Sequence, residues 1–224
     1  MTLWPRVSQW SKTNEIPLIE ESLSRAIGYS LILAVPVLVG GILLGDRLLY
    51  SFYGEDFAQG YQVLIILLGV QVINVFQYFF TMYLDALDHP QESFKVTAVG
   101  VGANIALNII LIPLMGINGA AIATLATMSL NALLAWSALS RHMTVRLERQ
   151  SLSNIMISSA IMGVIVGGYR LFVPLSNVWV TILVVAIGGV VYGFLILKSD
   201  KKVYTEMKDI VEKVGICFVW PGWL

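Results

Sequence analysis

The stretch VTAVGVGANIALNIILIPLMGINGAAIATLATMSLNALLAWSALS, residues Val96–Ser140, decides the architecture. It runs 45 residues without an Asp, Glu, Lys or Arg. A helix crossing a hydrocarbon layer about 30 Å thick needs roughly 20 apolar residues, because every backbone polar group must be satisfied within the segment. The stretch is therefore too long for one crossing and suits two. Pro113, Gly116, Asn118 and Gly119 punctuate its middle and predict a tight hairpin of two helices.

Working outward, the same test finds four more windows. Ala26 to Gly45 is uncharged and contains Pro36. A second window begins near Tyr61, past Gly60, and ends before Asp85. Gln150 to Leu197 carries one charge, Arg170, and divides at Pro174, Ser176 and Asn177. The prediction is an all-α, polytopic transmembrane bundle of about six spans, at 26–45, 61–83, 95–114, 119–140, 152–172 and 177–197. Residues 1–25 form an N-terminal interfacial or cytoplasmic segment and 198–224 a cytoplasmic amphipathic tail.

Composition agrees. AVILMFWYC residues make up 57% of the 224 and charged residues only 12%, about half the usual share of a soluble protein. The 14 basic and 14 acidic residues balance, so nothing suggests a nucleic-acid partner. The single cysteine, Cys217, excludes an intramolecular disulfide framework and a multi-cysteine metal knuckle. With alternating spans, every basic residue except Arg47 and Arg170 falls on the side shared by the two ends. Cytoplasmic loops hold the Lys/Arg excess, which predicts a multi-pass protein with both termini cytoplasmic.

The ends are read from their own patterns. Met1 to Arg25 holds Pro5, Pro17 and three acidic residues where a cleavable signal would have an apolar core. Asn14 to Arg25 reads as a short interfacial helix leading into the first span. In the tail, Val203, Met207, Ile210, Val211 and Val214 recur at helical spacing opposite charged residues, the pattern of an interfacial helix or of a tail packed on its own protein. Trp220 and Trp223 suit an interface anchor.

Motifs for catalysis are not found. There is no HExxH, GxSxG, Walker A or GxGxxG. His89 and His142 fall in different loops and read as separate polar surface residues. Asp85 and Asp88 flank a His-Pro turn and read as a solvated loop rather than a metal pair. The expectation is a protein that is not an enzyme and uses no metal or other cofactor.

Polar residues inside the spans are more informative. At about 100° per residue, Gln71, Asn74, Gln77, Thr81 and Asp85 share one face. Thr97, Gly100, Asn104 and Asn108 share another, and Thr124, Thr127 and Asn131 a third. Such stripes avoid lipid and face either neighbouring helices or a hydrated passage. Gln71, Asn74, Gln77, Asn104, Asn108, Thr124 and Asn131 are thus candidates for a substrate path, with interhelical packing as the alternative. Small-xxx-small pairs at Gly41/Gly45, Ala98/Gly102, Gly119/Ala123, Gly163/Gly167 and Gly189/Gly193 allow close helix approach. Pro36 removes a backbone donor and is a candidate kink or gate.

Several stretches also resemble a known family. Asn108-Ile-Ile-Leu-Ile-Pro113-Leu-Met-Gly116-Ile-Asn-Gly119-Ala-Ala-Ile-Ala-Thr124 resembles the hairpin N-x-x-L-I-P-L-x-G-I-x-G-A-A-I-A-T of polysaccharide biosynthesis proteins. These are the Wzx-like oligosaccharide flippases of the multidrug/oligosaccharidyl-lipid/polysaccharide exporter superfamily. Tyr83-Leu-Asp-Ala-Leu-Asp-His-Pro90 is similar to the family's L-x-A-L-G-x-P, with Asp88 replacing the glycine. Ser24-Arg25-Ala26, then Pro36, then Phe52-Tyr-Gly54-Glu-Asp-Phe57 resembles R-A…P…F-G-x-x-F, and Trp4-Pro5-Arg6-Val7-Ser8 resembles F-P-x-x-S.

The resemblance implies one lobe of a two-lobed, MATE-like transporter in the plasma membrane. Its partners would be the bilayer and a polyprenyl-diphosphate-linked oligosaccharide, moved between leaflets for cell-surface polysaccharide biosynthesis. It matches the carboxy-terminal portion of the family, so an N-terminal half-transporter or a second copy is the expected complement. An anionic diphosphate calls for positive charge along its path. Arg25, at the cytoplasmic mouth, and Arg170 are the candidate head-group contacts, with lipid anchoring of Arg25 and snorkelling of Arg170 as alternatives. Rival readings are a nontransporting scaffold for glycosyltransferases and a small-molecule or multidrug antiporter of the same superfamily.

Overall fold

The computed structural model describes residues 3–13, 15–58, 60–172, 178–200 and 203–205. Its elements are α1 (Leu3–Lys12), α2 (Ile16–Tyr53), α3 (Glu55–Ala58), α4 (Tyr61–Ala86), α5 (Pro90–Met115), α6 (Ile117–Leu139), α7 (Arg149–Phe172) and α8 (Val178–Ser199). Six of these, α2 and α4 to α8, are long and apolar enough to cross a membrane. The fold is all-helical among the described residues. Pro174, Ser176 and Asn177, expected to break α7 from α8, lie outside the described residues. So do Met207, Ile210, Val211, Val214, Trp220 and Trp223 of the tail.

The largest departure from the sequence reading is α2. It runs unbroken for 38 residues, about 57 Å at 1.5 Å per residue, nearly twice the hydrocarbon thickness. The segment expected as a separate interfacial helix before Arg25 is simply its first turns. Charge marks where a helix leaves the hydrocarbon, not where it stops being a helix. Pro17 occupies the opening turn, where its missing N–H costs nothing. Pro36 sits inside the helix without ending it. Gly54, at φ 91°, closes it, its N–H donating to the Tyr50 carbonyl.

α2 is the mast of the bundle. It packs against α1, α3, α4, α7 and α8, while α4 in turn carries α6 and α5. Most of the buried core lies at the end of the bundle where the α4–α5 and α6–α7 turns sit. There Ile19, Leu23 and Ile27 of α2 meet Phe80, Tyr83 and Leu84 of α4, with Leu139 and Ile155. Ser22 and Tyr83 hydroxyls hydrogen-bond within this layer. Outside, large apolar side chains such as Leu33, Ile109, Val164, Trp179 and Val190 remain exposed, as surfaces that contact lipid rather than water do.

The α5–α6 hairpin turns on one residue, Gly116, at φ 58°. Pro113 lies in the last turn of α5 and Gly119 in the first turn of α6. The turn is tight enough that a Cβ on Gly119 would lie 2.1 Å from the Leu111 carbonyl oxygen. Of the other small-residue pairs, Gly41 and Gly45 admit Leu68 and Leu64 of α4, and Gly163 and Gly167 admit Val39 and Leu43 of α2. Gly102, Gly189 and Gly193 meet nothing within 4 Å, so their spacing marks no contact. Because the obstacle at Gly119 is backbone, Gly119→Ala is expected to cost about 1–3 kcal/mol of stability. A lowered thermal midpoint in detergent, against an unchanged Gly102→Ala control, is the measurement.

Candidate functional site: polar seams and an apolar groove

Among the described residues, no hydrogen bond joins all three polar stripes. Those of α5 and α6 meet each other: Asn104 Nδ2 donates to Thr127 Oγ1 at 3.4 Å, and Asn108 Nδ2 to Asn104 Oδ1 at 2.8 Å. Gly100 leaves the space that the Asn131 amide occupies, for a Cβ there would lie 2.1 Å from its Oδ1. Thr127 and Asn131 are buried and Thr124 half-buried, with both threonine hydroxyls turned back onto carbonyls of their own helix. The Asn131 Oδ1 is buried with no hydrogen-bond partner. These contacts make a polar seam between α5 and α6.

The α4 stripe stands apart. Gln71 is exposed, and Asn74, Gln77 and Thr81 are half-buried. Asn74 donates to Gln71 at 3.3 Å, and Thr81 to the Gln77 and Tyr78 carbonyls. These bonds stay within α4, and Gln71 is its exposed member.

Between α4 and α6 lies a groove that no sequence pattern announced. Ile73, Phe76 and Phe80 form one wall and Ala132, Leu133 and Trp136 the other, with Ser129 on the same face. At one end it reaches Val145, Leu147, Leu152 and the exposed guanidinium of Arg149, the first residue of α7. Arg149 makes no ion pair among the described residues. An apolar channel with a cation at its interfacial end has the polarity of an amphiphile with an anionic head.

The two arginines singled out from the sequence differ in use. Arg25 pairs with Glu21 at 2.6 Å on an exposed helix face. It also lines a depression with Ser24, Gly28, Tyr29, Glu148, Ser151 and Asp200. Arg170 is not left for a head group. Its guanidinium holds both Asp46 carboxylate oxygens, at 3.1 and 2.7 Å, and donates to the Leu43 carbonyl. A planar guanidinium meets a carboxylate best through two parallel bonds, and here that fork ties α7 to α2. The sequence does not single out Asp46, which falls just past the uncharged window. The signal was available: Arg47 and Arg170 alone break the basic asymmetry, and Arg47 lies 3.9 Å from the same carboxylate.

The histidine reading also changes. The turns carrying His89 and His142 abut, so the residues are neighbours rather than separate surface groups.

The sequence profile of the family described as lipid II flippase MurJ matches residues 1–190. The chain belongs to that family. Among curated relatives, the MurJ-family chain is 29% identical over 215 residues to a probable low-salt glycan biosynthesis flippase, Agl15, of Haloferax volcanii. It is also 29% identical over 213 residues to the probable flippase AglR of the same organism. These alignments take in 96% and 94% of this chain but 46% and 44% of the relatives. The chain thus spans less than half the length of the curated relatives it matches. A solved structure of lipid II flippase MurJ in an inward closed conformation superposes with a TM-score of 0.72 at 19% identity. It covers 88% of this chain and 42% of that one, and shows a shared fold.

Two outcomes check this geometry. Gly100→Ala is expected to lower stability by about 1–3 kcal/mol, and adding Asn131→Ala to recover most of it, since the second change removes the obstacle and an unpaired buried oxygen. A double-mutant cycle of Asp46→Ala and Arg170→Ala, read by thermal denaturation, is expected to give a coupling on the order of 1 kcal/mol.

Proposed function

We propose that the protein is a flippase component that moves a polyprenyl-diphosphate-linked oligosaccharide across the plasma membrane for cell-surface glycan biosynthesis. The observation that carries this reading is the family match over residues 1–190. Two relatives named as flippases, one of them for glycan biosynthesis, support it. The Wzx-like hairpin motif is the reason for a lipid-linked oligosaccharide as cargo.

Translocation of such a lipid demands that its chain stay in hydrocarbon while its charged head crosses along polar groups. The α4–α6 groove supplies an apolar bed for the chain and Arg149 a bidentate donor for the diphosphate. The α4 face, with Gln71, Asn74 and Gln77, lines one side of the path for the sugar. The rest of the path comes from a complementary half-transporter or a second copy, with Pro36 in α2 as a point of bending. Both termini lie in the cytoplasm, which puts Arg149 and Arg25 at the leaflet where the cargo is loaded.

Reconstitution in proteoliposomes with a lipid-linked oligosaccharide, with and without an upstream half-protein, tests the reading. Translocation is expected when the complementary half is present. Arg149→Gln is expected to weaken cargo binding roughly 10–100-fold, the worth of a charge-assisted bond of about 1.5–3 kcal/mol. Absence of translocation by the reassembled halves would argue for a nontransporting scaffold, and full transport after Gln71, Asn74 and Gln77 are all replaced by alanine would overturn the α4 face as the sugar path.

A further inference from the structure

The chain has only two histidines, 53 residues apart in sequence, and the fold stacks one on the other. Their ring centroids lie 3.8 Å apart with 20° between planes. Glu92 completes the group, its Oε1 lying 3.0 Å from His142 Nε2. One donor atom from each of His89, Glu92 and His142 lies within 4.8 Å of the other two. All three side chains are half-buried. We propose that these residues form a binding site for a borderline divalent transition-metal ion, Zn2+ in the first place, which clasps the α4–α5 turn to the α6–α7 turn.

The backbone holds the donors in place. Asp88, at φ 68°, reverses the chain after α4. The His89 N–H then donates to the Leu84 carbonyl at 2.9 Å, and its own carbonyl accepts from the Glu92 N–H at 3.1 Å. His89 caps α5 and Glu92 lies three residues on, so both project from one side of the first turn. His142 is fixed separately, its N–H donating to the Leu139 carbonyl at 3.0 Å just past α6. Two independently anchored turns thus present three ligands to one point.

Donor chemistry selects the ion. Two imidazole nitrogens and one carboxylate oxygen suit Zn2+, with water in the fourth place, whereas Mg2+ and Ca2+ take oxygen shells. Bonds of about 2.0–2.1 Å set tetrahedral donors about 3.3 Å apart. Reaching that from the present spread requires the rings to tilt out of the stack. The clasp has a mechanical use, since α5 buries only Ser93, Val96 and Gly100 and is the least buried of the six spans. The site does not depend on the translocation reading.

Calorimetric titration of the intact protein with ZnCl2 tests this, in detergent, after chelator treatment and removal of any polyhistidine tag. One saturable equivalent is expected, with a rise in thermal midpoint. His89→Ala, His142→Gln and Glu92→Gln are each expected to weaken binding at least as much as the ~10–100-fold that loss of an outer-shell partner costs. His142→Gln keeps a donor for Glu92, so a purely structural pairing would survive it while metal binding would not. Absence of a saturable equivalent overturns the proposal, as does equal binding by well-folded His142→Gln and Glu92→Gln proteins.

Discussion

Hydrocarbon offers no hydrogen bonds, and the rest of this structure follows from that constraint. It forces the backbone into helices whose N–H and C=O groups pair internally. It also forces each polar side chain within a span to find a partner on a neighbouring helix, bond back to its own helix, or face something other than lipid. All three solutions are present. Asn104 and Thr127 bond across α5 and α6, Thr81 and Thr124 turn back on their own carbonyls, and Gln71 of α4 is exposed.

These solutions divide the bundle into parts with different work. The core at the end bearing the α4–α5 and α6–α7 turns holds α2, α4, α6 and α7 together through large apolar side chains. At the opposite end of α2, the α2–α7 contact is closed by a single forked ion pair, Arg170 with Asp46. The α4–α6 groove runs to the core end, where it reaches the segment between α6 and α7 and Arg149. The cargo proposed above, with a long apolar chain and a charged head, would call for that combination of a firm base, an apolar bed and a polar face.

How much was legible varies residue by residue. The hairpin was, because Pro113 and Gly116 act within one turn of where they stand. The extent of α2 was not, because its first ten residues carry charge and charge is not a helix breaker. Asn131 was legible on a polar face, yet only the tertiary structure shows its amide seated over Gly100. The ion pair of Arg170 was not legible because its partner lies 124 residues away. Arg149 and the groove carried no local signal, since a groove is a property of two helices.

The sequence by itself determined the class of molecule and the number of crossings. Those depend on runs of side chains along one segment, and burial in lipid is decided segment by segment. Tertiary structure alone decided which polar stripes touch, which arginine is spent on an acid, and that two histidines from separate loops share one point. Each of these depends on how helices rotate and which become neighbours. That is a collective outcome of packing, and no single segment of the chain encodes it.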